Sequence, residues 1–292
     1  MSDKIKVSEQ FASIQGEGKY TGVLSVFLRT YGCNFKCAGF GMSTDSETKT
    51  PLLSTEPDEI AKGLVGRLDG DDLQYDELPL ASTGCDSYAS WHPKFKKLSP
   101  MVNVTDLANQ LSELFTVNDY NANTFKHLVI TGGEPLLGWQ RSYPLLLTEL
   151  QAHGFTHITF ETNGTQELSN DFKEYLKTTS LVITFSVSPK LLCSGESIND
   201  ALKPDIVASY ETYGETYLKF VVTGESDLAD ITQFVDEYRL VGFNGDVYVM
   251  PMGGLADEYN FNVKEVAKLA MEYNFIYSPR MHIDLFGNAW GT

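Results

Sequence analysis

The sequence predicts an α/β protein on a mainly parallel sheet, and three observations carry that reading. Short β-rich apolar runs alternate with amphipathic helical stretches. The runs lack polar alternation, as strands covered on both faces do. A repeated strand, helix, strand order implies right-handed crossovers between parallel neighbours. About six such strands suit a partial barrel better than a closed eight-stranded one.

The first run is Leu24-Ser-Val-Phe-Leu-Arg-Thr-Tyr31 and the second Lys126-His-Leu-Val-Ile-Thr131. Further strands are expected at residues 157 to 161, 181 to 187, 216 to 222, 246 to 251 and 280 to 286. Between them, Leu107, Leu111, Leu114 and Phe115 share a helical face behind a Thr105 cap, and Leu228, Ile231, Phe234, Val235 and Tyr238 share another. A third helix is expected behind an Asn262 cap, with Val263, Val266, Ala267 and Ala270 inward. Residues 38 to 84 break the rhythm with Gly39-Phe-Gly41, Asp69-Gly-Asp-Asp72 and few apolar runs, and read as an insertion within one domain spanning residues 1 to 292. Inside it, Thr55-Glu-Pro-Asp58 predicts a helix through Arg67, since a threonine cap, an early proline and acidic first-turn residues favour that start.

With 42% hydrophobic residues in 292, the chain has enough apolar material for a core. Thirty-nine acidic against 22 basic side chains leave a net charge of −17, which repels nucleic-acid backbone and anionic lipid. No apolar run approaches the roughly 18 residues needed to span a bilayer, and Met1-Ser-Asp-Lys4 is no basic-then-apolar secretory start. A soluble, cytoplasmic protein that handles neither nucleic acid nor membrane is expected. Cys33, Cys37, Cys85 and Cys193 are too few for a disulfide scaffold. Cys33 and Cys37 follow the first strand on a loop at its carboxyl end, where sites form in α/β folds. Taken alone, the pair reads either as metal or cluster ligands or as two buried, unreactive thiols.

Three ordered segments weigh on that choice: Ser13-Ile-Gln-Gly-Glu-Gly18, Arg29-Thr-Tyr-Gly-Cys-Asn34 and Thr131-Gly-Gly-Glu-Pro-Leu136. Together they resemble the radical S-adenosylmethionine enzymes, and within them the 7-carboxy-7-deazaguanine synthases. The family holds a [4Fe-4S] cluster on three cysteines spaced CxxxCxxC, but here Phe40 stands in the third place. Cys85-Asp-Ser-Tyr-Ala-Ser-Trp91 resembles the family's Cys-Asp-Thr segment and downstream tryptophan, displaced by residues 38 to 84. The resemblance therefore implies Cys33, Cys37 and Cys85 as ligands, with Cys193 the rival for the third place. Such an excursion is tolerable because loop closure costs grow only logarithmically with length.

The resemblance further implies that S-adenosylmethionine occupies the open iron and is contacted by Gly132, Gly133 and Glu134, by Asn163 of Glu161-Thr-Asn-Gly-Thr165, and by Ser188 of Ser186-Val-Ser-Pro-Lys190. Gln15, Glu17, Arg29, Thr131, Glu161, His282 and Thr292 match substrate positions, with Arg29 suited to a bidentate carboxylate contact. Ser87 replaces a family threonine that binds Mg²⁺ and keeps the oxygen ligand. Lys219 could point into the barrel, although an isolated strand lysine more often marks a solvated edge, and it stays unassigned. His127, His153 and His157 read as structural or surface residues.

The implied activity is ring contraction of 6-carboxy-5,6,7,8-tetrahydropterin to 7-carboxy-7-deazaguanine with loss of ammonia, in a homodimer fed by a reducing donor such as flavodoxin. The rivals are a glycyl-radical activase, with the same cofactors and a protein substrate, and a non-catalytic cluster- or zinc-binding scaffold. The insertion is expected either to cover the cluster or to dock a partner.

Overall fold

Apolar runs and amphipathic stretches fold as strands and covering helices in the computed structural model, which describes residues 3–41, 56–69, 73–115 and 125–292. The strands are β1 (Lys4–Ile14), β2 (Leu24–Thr30), β3 (Met101–Asn103), β4 (His127–Gly132), β5 (His157–Thr162), β6 (Val182–Val187), β7 (Glu215–Val222), β8 (Val247–Pro251) and β9 (Ile276–Tyr277). The helices are α1 (Glu56–Gly63), α2 (Val65–Asp69), α3 (Val104–Glu113), α4 (Tyr143–Ala152), α5 (Asn170–Thr178), α6 (Ile198–Ala201), α7 (Pro204–Tyr210), α8 (Leu228–Leu240), α9 (Ala256–Glu272) and α10 (Met281–Phe286).

The nine strands among the described residues form one sheet in the order β3-β1-β2-β4-β5-β6-β7-β8-β9. From β2 to β9 every pairing is parallel, while β1 runs antiparallel to both β2 and β3. The sheet curls until its two ends meet: Met281 N donates to Gly16 O at 3.0 Å and Gly18 N to Ser278 Oγ at 2.8 Å. This is the partial barrel that the sequence predicts.

Strand alternation separates core from site. Val26 and Leu28, Leu128 and Ile130, Ile158 and Phe160, and Leu218, Phe220 and Val222 join the helix-covered core. Their neighbours Phe27 and Arg29, Thr131, Glu161, and Lys219 and Val221 line a cavity on the other face. Among the described residues no helix is long and apolar enough to cross a membrane.

The structure corrects several boundaries. Residues 280 to 286 are not a strand: Met281–Phe286 is helical and only Ile283 of its apolar residues is buried. Pro279, which has no N–H to offer the ladder, follows the end of β9. Asn103, not Thr105, caps α3, its Oδ1 accepting from Thr105 N at 2.9 Å. Helix α9 begins at Ala256, so Asn262 lies buried inside it, because Tyr259 anchors the extra turn by accepting from Arg280 N at 3.1 Å. Thr55 lies outside the described residues, and the helix expected to run from it to Arg67 is divided into α1 and α2. Strand β1 is absent from the expected set because Glu9, Gln10 and Ser13 interrupt its apolar pattern.

Candidate active site

The cysteine loop leaves the carboxyl end of β2 and is held by its backbone. Lys36 N and Cys37 N both donate to Glu196 Oε1, at 2.9 and 2.7 Å, and Gly39 N donates to Ser194 O at 2.8 Å. Cys37 has a left-handed backbone, φ 49°, which those contacts hold in place. The loop after β4 packs directly on it. A Cβ at Gly133 would lie 2.2 Å from Gly32 O, and one at Gly132 would lie 2.2 Å from Thr30 O. Both glycines are thus required by this contact between loops.

The two ends of the stretch read as an insertion come together. Gly84 N donates to Phe40 O at 2.7 Å, and Glu56 Oε2 accepts from Ser82 N, Ser82 Oγ and Thr83 N at 2.6, 2.8 and 3.1 Å. Its ends therefore meet at Phe40 and bring Cys85 beside the first two cysteines. Cys37 is buried with Phe35 and Ala201, half-buried Cys33, Phe40 and Cys85 pack against that group, and all three thiols line the cavity. Burial pushes the Cys33 thiol up to about 12 and raises Cys37 and Cys85, with the nearby thiols adding to it at Cys33 and Cys37. Lys190 opposes that rise at Cys33 and Cys37, and Ser87 opposes it at Cys85. Cys193 is elsewhere: it does not line the cavity, and its Sγ faces Val221 O at 3.8 Å.

The cavity, of about 250 Å³, contains a buried ionic system. Glu17 takes Lys219 Nζ on Oε2 at 2.5 Å and Arg280 Nε on Oε1 at 3.1 Å, with His282 Nε2 3.8 Å away. Burial alone would raise the Glu17 carboxyl, but Lys219, Arg280 and His282 outweigh it and hold it far below the ordinary range. Arg280 also pairs with Asp86 Oδ2 at 2.6 Å and with Gly253 O. Lys219 lies 3.6 Å from Glu161, whose Oε1 accepts from Gln15 Nε2 at 3.1 Å. Burial, reinforced by Arg280, lowers His282, so its imidazole is neutral at neutral pH. Gly16 lets this assembly close: a Cβ there would lie 2.2 Å from His282 Nδ1.

Gln15, Glu17, Arg29, Thr131, Glu161, His282 and Thr292 all line this cavity, as do Ser87, Gly132, Gly133, Asn163 and Ser188. Glu134, of the same loop, does not line it. It is fully buried, and its carboxylate accepts from Thr162 Oγ1 at 2.7 Å, Asn163 N at 2.7 Å and Leu136 N at 3.0 Å. It braces the β4 loop against the end of β5. Asn163 in turn donates to Asn34 Oδ1 at 2.9 Å, tying β5 to the cysteine loop. Lys219 sits between β6 and β8 neighbours and is 4% exposed, so the solvated-edge reading fails. Arg280, Asp86, Lys190 and Glu196 are further site residues that sequence reasoning missed. Arg280 carried a signal in its place beside His282; Glu196 carried none.

No family model matches the chain. A curated relative from Halobacterium salinarum, 7-carboxy-7-deazaguanine synthase, is 31% identical over 98% of this chain and 91% of its own length. The chain belongs to the 7-carboxy-7-deazaguanine synthase family. Relatives of the same name from Rhodopirellula baltica and Pyrobaculum aerophilum are each 26% identical, over 98% and 99% of this chain and 88% and 97% of theirs. In fold, the chain resembles the crystal structure of QueE from Escherichia coli, with a TM-score of 0.51 at 20% identity over 94% of this chain and 93% of that one. Synthases of this kind imply radical S-adenosylmethionine chemistry. The cavity's three thiols fit a [4Fe-4S] group: Cys33 and Cys85 pack against the small group that buries Cys37, and a cubane spreads its ligands more widely than one ion does. Among the described residues no three His, Cys, Asp or Glu side chains form a group that could hold a metal ion.

Proposed function

We propose that this synthase-family chain contracts 6-carboxy-5,6,7,8-tetrahydropterin to 7-carboxy-7-deazaguanine with release of ammonia, using Cys33, Cys37 and Cys85 to hold a [4Fe-4S] cluster. The supporting observation is that these thiols wall the same cavity as the Glu17, Lys219 and Arg280 system. When bound there, the cluster and S-adenosylmethionine would supply the radical chemistry that the ring contraction needs. Asn163, Ser188 and the backbone of Gly132 and Gly133 position the cofactor beside the cysteine loop.

Arg29 receives the substrate carboxylate, and Thr131, its register partner on β4, lies beside it. Gln15 and Glu17 face a ring with several N–H donors and acceptors, and Glu17 stays ionised for that purpose because two cations hold it. His282, neutral, offers one donor and one acceptor. Thr292 closes the cavity at the tail. Ser87 would hold Mg²⁺ through its hydroxyl together with substrate oxygens, since oxygen donors suit that ion. The ionic system also reconciles an anionic substrate with a chain of net charge −17, because charge at contact distance outweighs the screened field of distant carboxylates. The protein works as a cytoplasmic homodimer drawing electrons from a donor of the flavodoxin type.

The test is anaerobic turnover of the reconstituted protein with dithionite, the pterin and S-adenosylmethionine. The expected result is one ammonia released per 7-carboxy-7-deazaguanine formed. Consumption of the cofactor with the pterin unchanged contradicts the reading and favours an activase.

A further inference from the structure

Strand β1 changes face along its length. Ile5 and Val7 join the helix-covered core, whereas Glu9 and Phe11 line the cavity. Side chains two apart share a face in a regular strand, so an unbroken β1 would bury Glu9 beside Val7. The pairing with β2 instead shifts between Val7 and Glu9, which makes Ser8 an extra residue, its hydroxyl 2.9 Å from that of Ser99. Such a bulge re-aims the side chains that follow it.

Two cross-strand rungs then face the cavity. Phe11 pairs with Phe27, their rings stacked with centroids 4.8 Å apart, and the two share a small buried cluster with Val129. Glu9 pairs with Arg29, its Oε2 accepting from Nε at 3.2 Å, and only 11% and 19% of the two side chains are exposed. A guanidinium offers a carboxylate two paired-donor edges, one that includes Nε and one made of Nη1 and Nη2. Glu9 occupies the first. The two Nη groups make no hydrogen bond among the described residues, so Arg29 keeps the second edge for a ligand in the cavity that it lines.

We propose that Glu9 is a positioning residue of the substrate site: by holding Nε it commits the Nη1 and Nη2 edge of Arg29 to the substrate carboxylate. The inference rests on the pterin reading above and gives the bulge a function, since a regular strand would put the acceptor on the opposite face of the sheet. An arginine released from Glu9 has to be ordered by the ligand itself, which weakens recognition of the carboxylate and leaves the contacts to the ring as they are.

The experiment is calorimetric titration of the anaerobically reconstituted protein with 6-carboxypterin and with pterin, comparing wild type, Glu9→Gln and Glu9→Leu. Glutamine keeps an acceptor for Nε without the charge, and leucine removes both. Glu9→Leu is expected to bind 6-carboxypterin about tenfold more weakly with pterin affinity unchanged, and Glu9→Gln to recover most of that loss. Where Glu9→Leu does not fold, Glu9→Asp, whose shorter side chain withdraws the acceptor, is titrated with the same expectation. Equal weakening of both ligands means that Glu9 supports the fold rather than the fork, and it overturns the inference. Tighter binding of 6-carboxypterin in the variants shows a repelling charge and overturns it too, as does a loss in Glu9→Gln as large as in Glu9→Leu. Wild-type protein with no preference for 6-carboxypterin over pterin overturns the substrate reading, and the inference with it. A normal wild-type preference that survives Glu9→Leu removes the inference alone.

Discussion

The barrel and the inserted segment are held by different means. In the barrel, contiguous apolar strands and helices share one large core that runs from Ile5 to Ala270. The insertion's Ala61, Leu73, Leu78 and Ala81 share only a small core with Tyr88, Ala89 and Phe95 of the segment after it, and that core leans on Trp290. Its remaining order comes from polar staples, chiefly Glu56 on Ser82 and Thr83. The comparison teaches that the third cysteine is delivered by the weaker unit. Cys85 follows the closing hydrogen bond between Phe40 and Gly84, so the proposed cluster site depends on a segment that the barrel core does not itself stabilise.

The largest effect should come from breaking the stronger partner. Phe160→Ala removes a fully buried ring from the barrel core and is expected to cost about 3–5 kcal/mol of global stability in denaturant unfolding. Trp290→Ala should leave the global transition nearly in place and instead speed hydrogen exchange over residues 73 to 90, because it frees Leu78 O and two ring contacts. A global loss as large as that of Phe160→Ala would show that the insertion and barrel are one cooperative unit.

A smaller effect sharpens the same contrast through pH. His127, at the amino end of β4, is pushed down to about 3 by burial, with His157 adding to it, and is hydrogen-bonded to Ser25 and Thr159. It is neutral in the folded barrel, while the unfolded chain takes a proton below about 6.5. Its contribution to stability is therefore full above about 6.5 and declines as pH falls toward 3, by about 2 kcal/mol between pH 7 and 5. His127→Gln should flatten that part of the wild-type pH dependence. An unchanged slope would place the acid sensitivity elsewhere, for instance in the insertion.

The same division governs what was legible in the sequence. The strands β2 and β4 to β8 are readable because both faces are covered, and their carboxyl ends place Arg29, Thr131, Glu161 and Ser188 at the site. Alternation also puts Lys219 inside, but a lone strand lysine resembles an edge residue until its acidic partners, Glu17 from the loop after β1 and Glu161 from β5, are brought to it. Residues 280 to 286 misled because Met281, Ile283 and Leu285 alternate like a strand, although Pro279 stops the ladder first. The brace of Glu134 on β5 and the seat of Glu196 under Cys37 are long-range contacts that no local pattern encodes. Closure of the insertion at Phe40 and Gly84 is of the same kind, although the Cys85-Asp-Ser segment marked its outcome.

The central claim is most directly tested by counting iron and sulfide per chain after anaerobic reconstitution of Cys85→Ala and Cys193→Ala. The account predicts that Cys193→Ala keeps about four irons and the wild-type spectrum while Cys85→Ala loses both. A full cluster in Cys85→Ala, or its loss in Cys193→Ala alone, would contradict it.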